Sequence, residues 1–421
     1  MQNQYRTQPR PIAPPIPPRQ RRKRLAGAVV AAALCTAVVL GATVQIVRIL
    51  ETNSNLSPAH GPITAGRRTA ASATPTSHVS KPGALPGEQI WGNGVSSFLF
   101  GINDTYDYAG NNIENTPAAQ QALKGAGFTL MRSFFNEQHI GWPFGHTLTT
   151  DADLELRFHA IESIGAQCLG VLAVSGDPQY NSSLQFLDHV LTYAETSKPG
   201  TTRCQIWEYG NEPYSNLSAA AYLQRWNHDI PILRAHHPNA KFVGLVDSGP
   251  YFDQIQAFLN GVKQSGVLPD AISYHDYPCY NSPDYIDAPA DAQACDAMIT
   301  KGGSYLPSYS DRIRKVKQMI RATLGKDIPL GITEWNVSPN NVNMVNGHLP
   351  LTMSPTYQPH FILEMYAAMA SAGLDFATEF DGMSGAGEGT AGSLDLIDGN
   401  NTPRPWIGTY QSAIASYRQG G

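Results

Sequence analysis

No Cys-x-x-Cys pair occurs in the 421 residues, so the small zinc modules drop out of consideration. No Gly-x-Gly-x-x-Gly turn follows the first strand-like run, which weakens a dinucleotide-binding sheet. No His-x-His follows that run either, which weakens a metal-dependent barrel hydrolase. No internal repeat is visible. Residues 1–24 contain no acidic residue, and Leu25–Val47 contains no charge of either sign. Residues 1–88 carry 11 basic and 2 acidic side chains, which leaves 18 basic against 32 acidic in residues 89–421, a net of −14. A domain so charged repels polyanions, so nucleic acid and anionic glycans are poor partners. Ordinary surface solvation explains the same excess equally well.

What is present divides the chain into four parts. Residues 1–24 form a tail rich in Pro and Arg, with an extended tract at Pro11–Pro18 and a basic knot at Arg19, Arg21, Arg22, Lys23 and Arg24. Residues 25–47 follow as 23 uncharged residues, which span about 35 Å as a helix, enough to cross a bilayer. The basic knot before the run predicts a signal-anchor with a cytoplasmic tail. A cleaved signal peptide and a lipoprotein anchored at Cys35 are the alternatives; bulky Leu34 disfavours the second. Residues 48–87 read as a flexible linker. Residues 88–421 are the folded domain, expected outside the cell and read as a monomer. Pairing of cysteines is permitted there, and Cys279–Cys295 and Cys168–Cys204 are the expected disulfides, with free buried thiols as the alternative for the second.

The folded part alternates short apolar runs with amphipathic ones. Strands are expected at Ser97–Asn103, Thr129–Phe135, Gln167–Ser175, Cys204–Glu212, Lys241–Ser248, Ala271–Tyr277, Pro329–Asn336 and Phe376–Asp381. Helical patterns fall between and after them, among them Asp153–Gly165, Ser183–Glu195, Ala219–His236, Asp311–Leu324 and Pro359–Ala372. Gly127, Gly165, Gly266 and Gly373 stand where helices should end. Eight such units predict an α/β fold, a (β/α)₈ TIM barrel. An open doubly wound sheet is the competitor.

Two of the runs end in carboxylates. Ile206-Trp207-Glu208-Tyr209-Gly210-Asn211-Glu212-Pro213 closes the fourth strand, and Gly331-Ile332-Thr333-Glu334-Trp335-Asn336 closes the seventh. In a barrel both reach the C-terminal mouth. Two facing carboxyl groups, one protonated and one ionised, are what cleavage of a glycosidic bond requires. Arg132 on strand two and Tyr277 after strand six are expected to hold Glu334 ionised. Glu212, as the acid, is expected in a less positive setting. Glu208 reads as a buried partner of Arg132.

These motifs resemble the clan A retaining glycoside hydrolases, which share the eight-fold barrel. The resemblance covers most of the folded part. Asn211-Glu212-Pro213 is similar to the clan's strand-four motif, which implies Glu212 as acid/base and Asn211 at the sugar 2-hydroxyl. Ile332-Thr333-Glu334-Trp335-Asn336 resembles the β-xylosidase version of strand seven, which implies Glu334 as nucleophile. Leu130-Met131-Arg132 supplies the strand-two Arg, and Ser273-Tyr274-His275-Asp276-Tyr277 looks like the strand-six His-x-Tyr. His275 is expected to orient the sugar or Tyr277. Trp335, Trp142 and Tyr214 are candidates to stack on sugar rings. Glu379 and Asp381 could touch substrate or cap the barrel. The sequence departs from the clan on strand eight, where Ala377-Thr378-Glu379-Phe380-Asp381 carries no Trp. The β-sandwich appended in several clan families finds no room after the last helix at Pro405–Arg418, a cellulase-like economy.

The reading is therefore a retaining glycosidase of a neutral, β-linked oligo- or polysaccharide, with no cofactor and no metal. A non-catalytic glycan-binding barrel is one alternative. A metal-dependent barrel enzyme using Glu212, His275, Asp276 and Glu334 as ligands is the other.

Overall fold

The computed structural model describes residues 85–104, 113–137, 150–175, 181–279, 289–304, 306–339, 350–383 and 394–420. The tail, the predicted anchor and nearly all of the linker lie outside them. Among the described residues no helix is long and apolar enough to cross a membrane. Eight parallel strands close in sequence order, from β1 to β8 and back to β1. The order of elements is β1 (Gly101–Asn103), α1 (Pro117–Ala126), β2 (Leu130–Phe135), α2 (Asp151–Ile164), β3 (Gln167–Leu172), α3 (Leu184–Thr196), β4 (Ile206–Tyr209) and α4 (Ala219–His236). It continues through β5 (Lys241–Asp247), α5 (Phe252–Ser265), β6 (Ala271–His275), α6 (Pro289–Thr300), α7 (Tyr309–Leu324), β7 (Leu330–Trp335), α8 (Gln358–Ser371), β8 (Phe376–Glu379) and α9 (Ile407–Gln419). This is the expected (β/α)₈ barrel; the open sheet is excluded by the β1–β8 pairing at Gly101↔Thr378.

The strands are shorter than the apolar runs. Ser97–Leu99 forms a 3₁₀ turn ahead of β1, because Ser96 caps it through Phe98 N–H at 3.1 Å. β4 stops at Tyr209, three residues before Glu212. Gly210 has φ +99°, and an added Cβ would stand 3.0 Å from the Val174 carbonyl. Pro213 then has no N–H to continue a ladder. Helix ends obey local chemistry. Thr150 and Asp153 form a reciprocal capping box on α2. Gly127, Gly165 and Gly266 close α1, α2 and α5 in the left-handed conformation.

Side chains pointing into the barrel stack in layers. Leu130, Leu169, Ile206, Val243, Ala271 and Phe376 form a floor, sealed from below by Leu85 and Phe98. Two residues further along, four of these six strands turn polar at the inward position: Arg132, Glu208, Ser273 and Thr378, each wholly buried. The outward faces pack on the helices, as Phe135 does on Phe158 of α2 at 5.1 Å between ring centres.

Both expected disulfides form. Cys168–Cys204 joins β3 to the segment before β4, with Cα atoms 5.0 Å apart. Cys279–Cys295 joins the end of the β6 segment to α6, Cα atoms 5.1 Å apart. Cys295 sits on α6. The spans of 36 and 16 residues correspond, by loop-closure entropy, to about 4 and about 3 kcal/mol.

Candidate active site

Arg132, at the middle of β2, organises the mouth from below. Its Nε donates to Glu208 Oε2 at 2.6 Å. Nη1 donates to Asn103 Oδ1 and to Glu334 Oε1, both at 2.8 Å. Nη2 donates to Asn211 Oδ1 at 2.6 Å and lies 3.5 Å from His275 Nε2. Burial works against the guanidinium charge, but Glu208 and Glu334 outweigh it and hold the group above its usual range. Glu208 spends its second oxygen on the Ser273 hydroxyl at 2.6 Å. So Glu208 is the buried partner of Arg132, and the fork of Arg132 fixes Asn211 and Glu334 together.

Glu334 closes the upper layer. Its Oε2 accepts from the Tyr277 hydroxyl at 2.8 Å. Burial, and then the Glu334 charge, push the Tyr277 phenol well above its ordinary value, so it stays a donor. His275 stands between the two carboxylates. Its Nδ1 is 2.8 Å from Glu212 Oε1 and 3.3 Å from Glu334 Oε2. One ligand-type atom from each of Glu212, His275 and Glu334 lies within 4.8 Å of the other two. His275 therefore partners Glu212, not Tyr277.

The electrostatics correct one expectation. Burial raises the Glu212 carboxyl, but the His275 hydrogen bond and charge, with Arg132 behind, bring it below its ordinary value. Burial opposes the charge on His275, yet Glu334 and Glu212 together lift it above 6.5. The setting of Glu212 is thus positive, the charge coming from His275 first and then Arg132. Asp247, ending β5, goes the other way: burial in a setting where Glu212 is also negative lifts it to about 7.

Glu212 is held in strained backbone. Its φ is +44° and ψ +48°, a region that non-glycine residues avoid, at roughly 1–3 kcal/mol. Glu212 N–H donates to Val246 O at 3.0 Å, which ties the turn to β5. The strain aims the carboxylate into the mouth.

Other predicted residues fall elsewhere. Trp335 is fully buried, its ring 5.5 Å from Tyr366 and 6.1 Å from Phe361 on α8. Glu334 faces inward, so by strand alternation Trp335 faces outward and cannot stack on a sugar. Glu379 is likewise turned outward, accepting from Asn336 Nδ2 at 3.0 Å and packed against Tyr410. Asp276 pairs with Arg312 at 2.7 Å, both buried, so the four-ligand metal set does not assemble. Glu212, His275 and Glu334 alone could converge on a cation, and Arg132 against Glu334 opposes one. A second such cluster, Asp296, His360 and Glu364, joins α6 to α8 on the outer surface. Tyr214 is half-buried, edge-on to Tyr222 at 5.8 Å. Trp142 lies outside the described residues. Sequence reasoning missed Asn103, Ser273 and Asp247. Each ends or lines an apolar run, where a polar residue looks like a strand boundary.

No protein-family model and no curated protein sequence matches the chain. Solved structures do. A monomeric β-xylosidase from Caulobacter crescentus CB15 is 16% identical with a TM-score of 0.56, over 75% of this chain and 67% of that one. A GH39 enzyme from Xanthomonas axonopodis pv. citri is 15% identical with a TM-score of 0.58, over 77% and 68%. A family 51 α-L-arabinofuranosidase from Bifidobacterium longum is 14% identical with a TM-score of 0.51, over 76% and 73%. The chain spans about two thirds of the length of the first two. What this chain shares with these glycoside hydrolases is the fold, an eight-stranded parallel barrel closed in sequence order.

Proposed function

We propose that the protein is a retaining glycoside hydrolase of clan A type that cleaves a neutral, β-linked glycoside by double displacement. The observation that carries the reading is the approach of Glu212 and Glu334 oxygens within 4.8 Å. Retaining enzymes hold their carboxyl groups about 5–5.5 Å apart, and inverting ones about 6.5–9.5 Å. A bare glycan-binding barrel gives no reason for this contact, nor for strained Glu212.

Glu334 is the nucleophile. Arg132 and Tyr277 each give one hydrogen bond to it, which orients the carboxylate for attack at the anomeric carbon. Glu212 and His275 share one proton. With a glycosidic oxygen at Glu212, that proton passes through Glu212 to the leaving group as the bond to Glu334 forms. The ester no longer carries the charge that supports protonated His275. Glu212 is then a carboxylate beside a neutral imidazole and takes a proton from water as the glycosyl-enzyme is hydrolysed. Asn211, fixed by Arg132, is placed for a sugar hydroxyl. The N-terminal segment would hold the enzyme at the outer face of the cell membrane.

The anomer first formed, followed by NMR during hydrolysis of an aryl β-glycoside by residues 88–421, should be the β form. An α product would sink the mechanism. Glu212→Ala should slow substrates with poor leaving groups far more than activated aryl glycosides; equal losses would remove its acid role. Activity that vanishes with EDTA and returns with a divalent cation would favour the metal-dependent reading.

A further inference from the structure

A cavity of about 330 Å³ opens beside Glu212, His275 and Tyr277 and runs away on the β5–β6 side. Glu334 is not among its lining residues. The residue assigned as acid thus borders it and the assigned nucleophile does not. A proton donor contacts the departing oxygen, so the space beyond it receives the leaving group. The chemistry of that space names the leaving group.

The wall is built from Pro250, Tyr251, Pro278, Met298, Leu306 and Pro339. Tyr251 keeps 52% of its surface exposed, an uncovered aromatic face at the rim. The charged lining residues away from the catalytic group are already engaged. Arg312 donates to Asp276 Oδ1 at 2.7 Å, to the Pro307 carbonyl at 2.9 Å and to the Met298 carbonyl at 3.4 Å, and is 1% exposed. Asp276 Oδ2 makes no hydrogen bond but is shut off from solvent. Among the described lining residues away from the catalytic group, that leaves the side-chain hydroxyls of Ser248 and Tyr251 to meet a ligand. A second sugar entering here would bring several hydroxyls, and each one desolvated without a partner costs about 1–3 kcal/mol. An alkyl or aryl group would instead gain from every carbon it buries.

Building on the glycosidase reading above, we infer that this cavity is an apolar aglycone site: the enzyme cleaves glycosides whose leaving group is an alkyl or aryl alcohol in preference to another sugar. The bond broken is that between the anomeric carbon and the alcohol oxygen; the alcohol leaves with the proton from Glu212, and water supplies the hydroxyl of the sugar.

The test uses alkyl glycosides of one sugar, that of the best p-nitrophenyl glycoside, with chains from methyl to hexyl. Lengthening the chain scarcely alters the leaving-group acidity, so any trend reports the cavity. kcat/KM should rise about three- to fourfold per methylene until the cavity is filled. The hexyl glycoside should outpace a disaccharide of the same glycone. Met298→Gln and Leu306→Gln should flatten the series while methyl glycoside turnover stays within about twofold. Tyr251→Ser, on an exposed side chain that does not threaten folding, should lower the slope at its long-chain end. A flat series with the p-nitrophenyl glycoside still hydrolysed would overturn the aglycone site alone, as would a disaccharide faster than the hexyl glycoside. No turnover of any glycoside would overturn the glycosidase reading and this inference with it.

Discussion

The floor and the mouth of the barrel are made by the same strands, two residues apart, and they share almost nothing else. Leu130 and Ile206 lie in the sealed apolar floor, while Arg132 and Glu208, one inward step along, form an ion pair with no solvent contact. Hydrophobic burial holds the lower layer, and it tolerates size changes in proportion to the cavity left. The upper layer rests on mutual compensation. Its charges were taken out of water and are bearable only together. The two layers should therefore fail in different ways.

The largest difference should appear at Glu334. Glu334→Ala should lower kcat by about 10⁴-fold or more, as loss of a nucleophile does, with melting temperature changed little. Azide should restore turnover and give a glycosyl azide of inverted configuration. Near wild-type turnover without azide would remove Glu334 from the mechanism. Next comes Arg132→Leu, which strands Glu208 and Glu334. It should cost about 3–5 kcal/mol in urea unfolding and abolish activity together. Leu169→Ala in the floor should cost about 2–5 kcal/mol while leaving kcat of the folded fraction unchanged. If Leu169→Ala lowers kcat as Arg132→Leu does, the layers are not separable.

The smaller effects lie on the pH axis. The proton shared by His275 and Glu212 should set the alkaline limb of kcat/KM. His275 is raised above 6.5, so the limb should lie above that value. In His275→Asn only Glu212 remains to hold the proton, and the limb should move down by about one pH unit or more. An unmoved limb would show that the pair does not hold the catalytic proton. Asp247 tests a quieter charge at the same level. Its carboxyl is near 7 in the fold against about 3.9 unfolded. The folded state then binds the extra proton, so this group's contribution to stability falls as pH rises from about 4 to about 7. Asp247→Asn should remove that fall and gain on the order of 1 kcal/mol at pH 8 relative to pH 5. A wild-type protein equally stable at both pH values, with an unchanged variant, would contradict the raised carboxyl.

Much of this was legible in advance where one rule dominated. The barrel followed from alternation of apolar runs and amphipathic stretches, and both disulfides were expected once the folded part was read as lying outside the cell. Arg132, Glu208 and Glu334 were read correctly as neighbours, because strand pleating places them on one inner face; Tyr277, two residues past the end of β6, reaches Glu334 through its hydroxyl. Trp335 was misread because a motif places a residue without saying which way it faces. Its outward direction follows from Glu334 pointing in. The end of β4 was placed too late because nothing in the sequence shows that Gly210 leaves the strand in a left-handed conformation. That of β8 was placed too late because an apolar residue beyond a strand, Phe380, is indistinguishable in sequence from one within it.

The sequence by itself determined the fold class, the strand order and the two carboxylates at the barrel mouth, because these depend on periodicity, loop chemistry and residue type. It left the pairing of Cys168 with Cys204 open, which the structure closed. Only the tertiary structure decided which way the ionisations of Glu212 and His275 shift. Charge on Glu212 and His275 depends on distances of 2.8 and 3.3 Å between groups from three different strands or strand ends, and on how deeply each is buried. Local sequence carries none of those quantities. The left-handed turn at Glu212, pinned by Val246 across the β4–β5 seam, and the apolar cavity beside it are of the same kind. Each exists because segments far apart in the chain were brought to one end of a closed barrel.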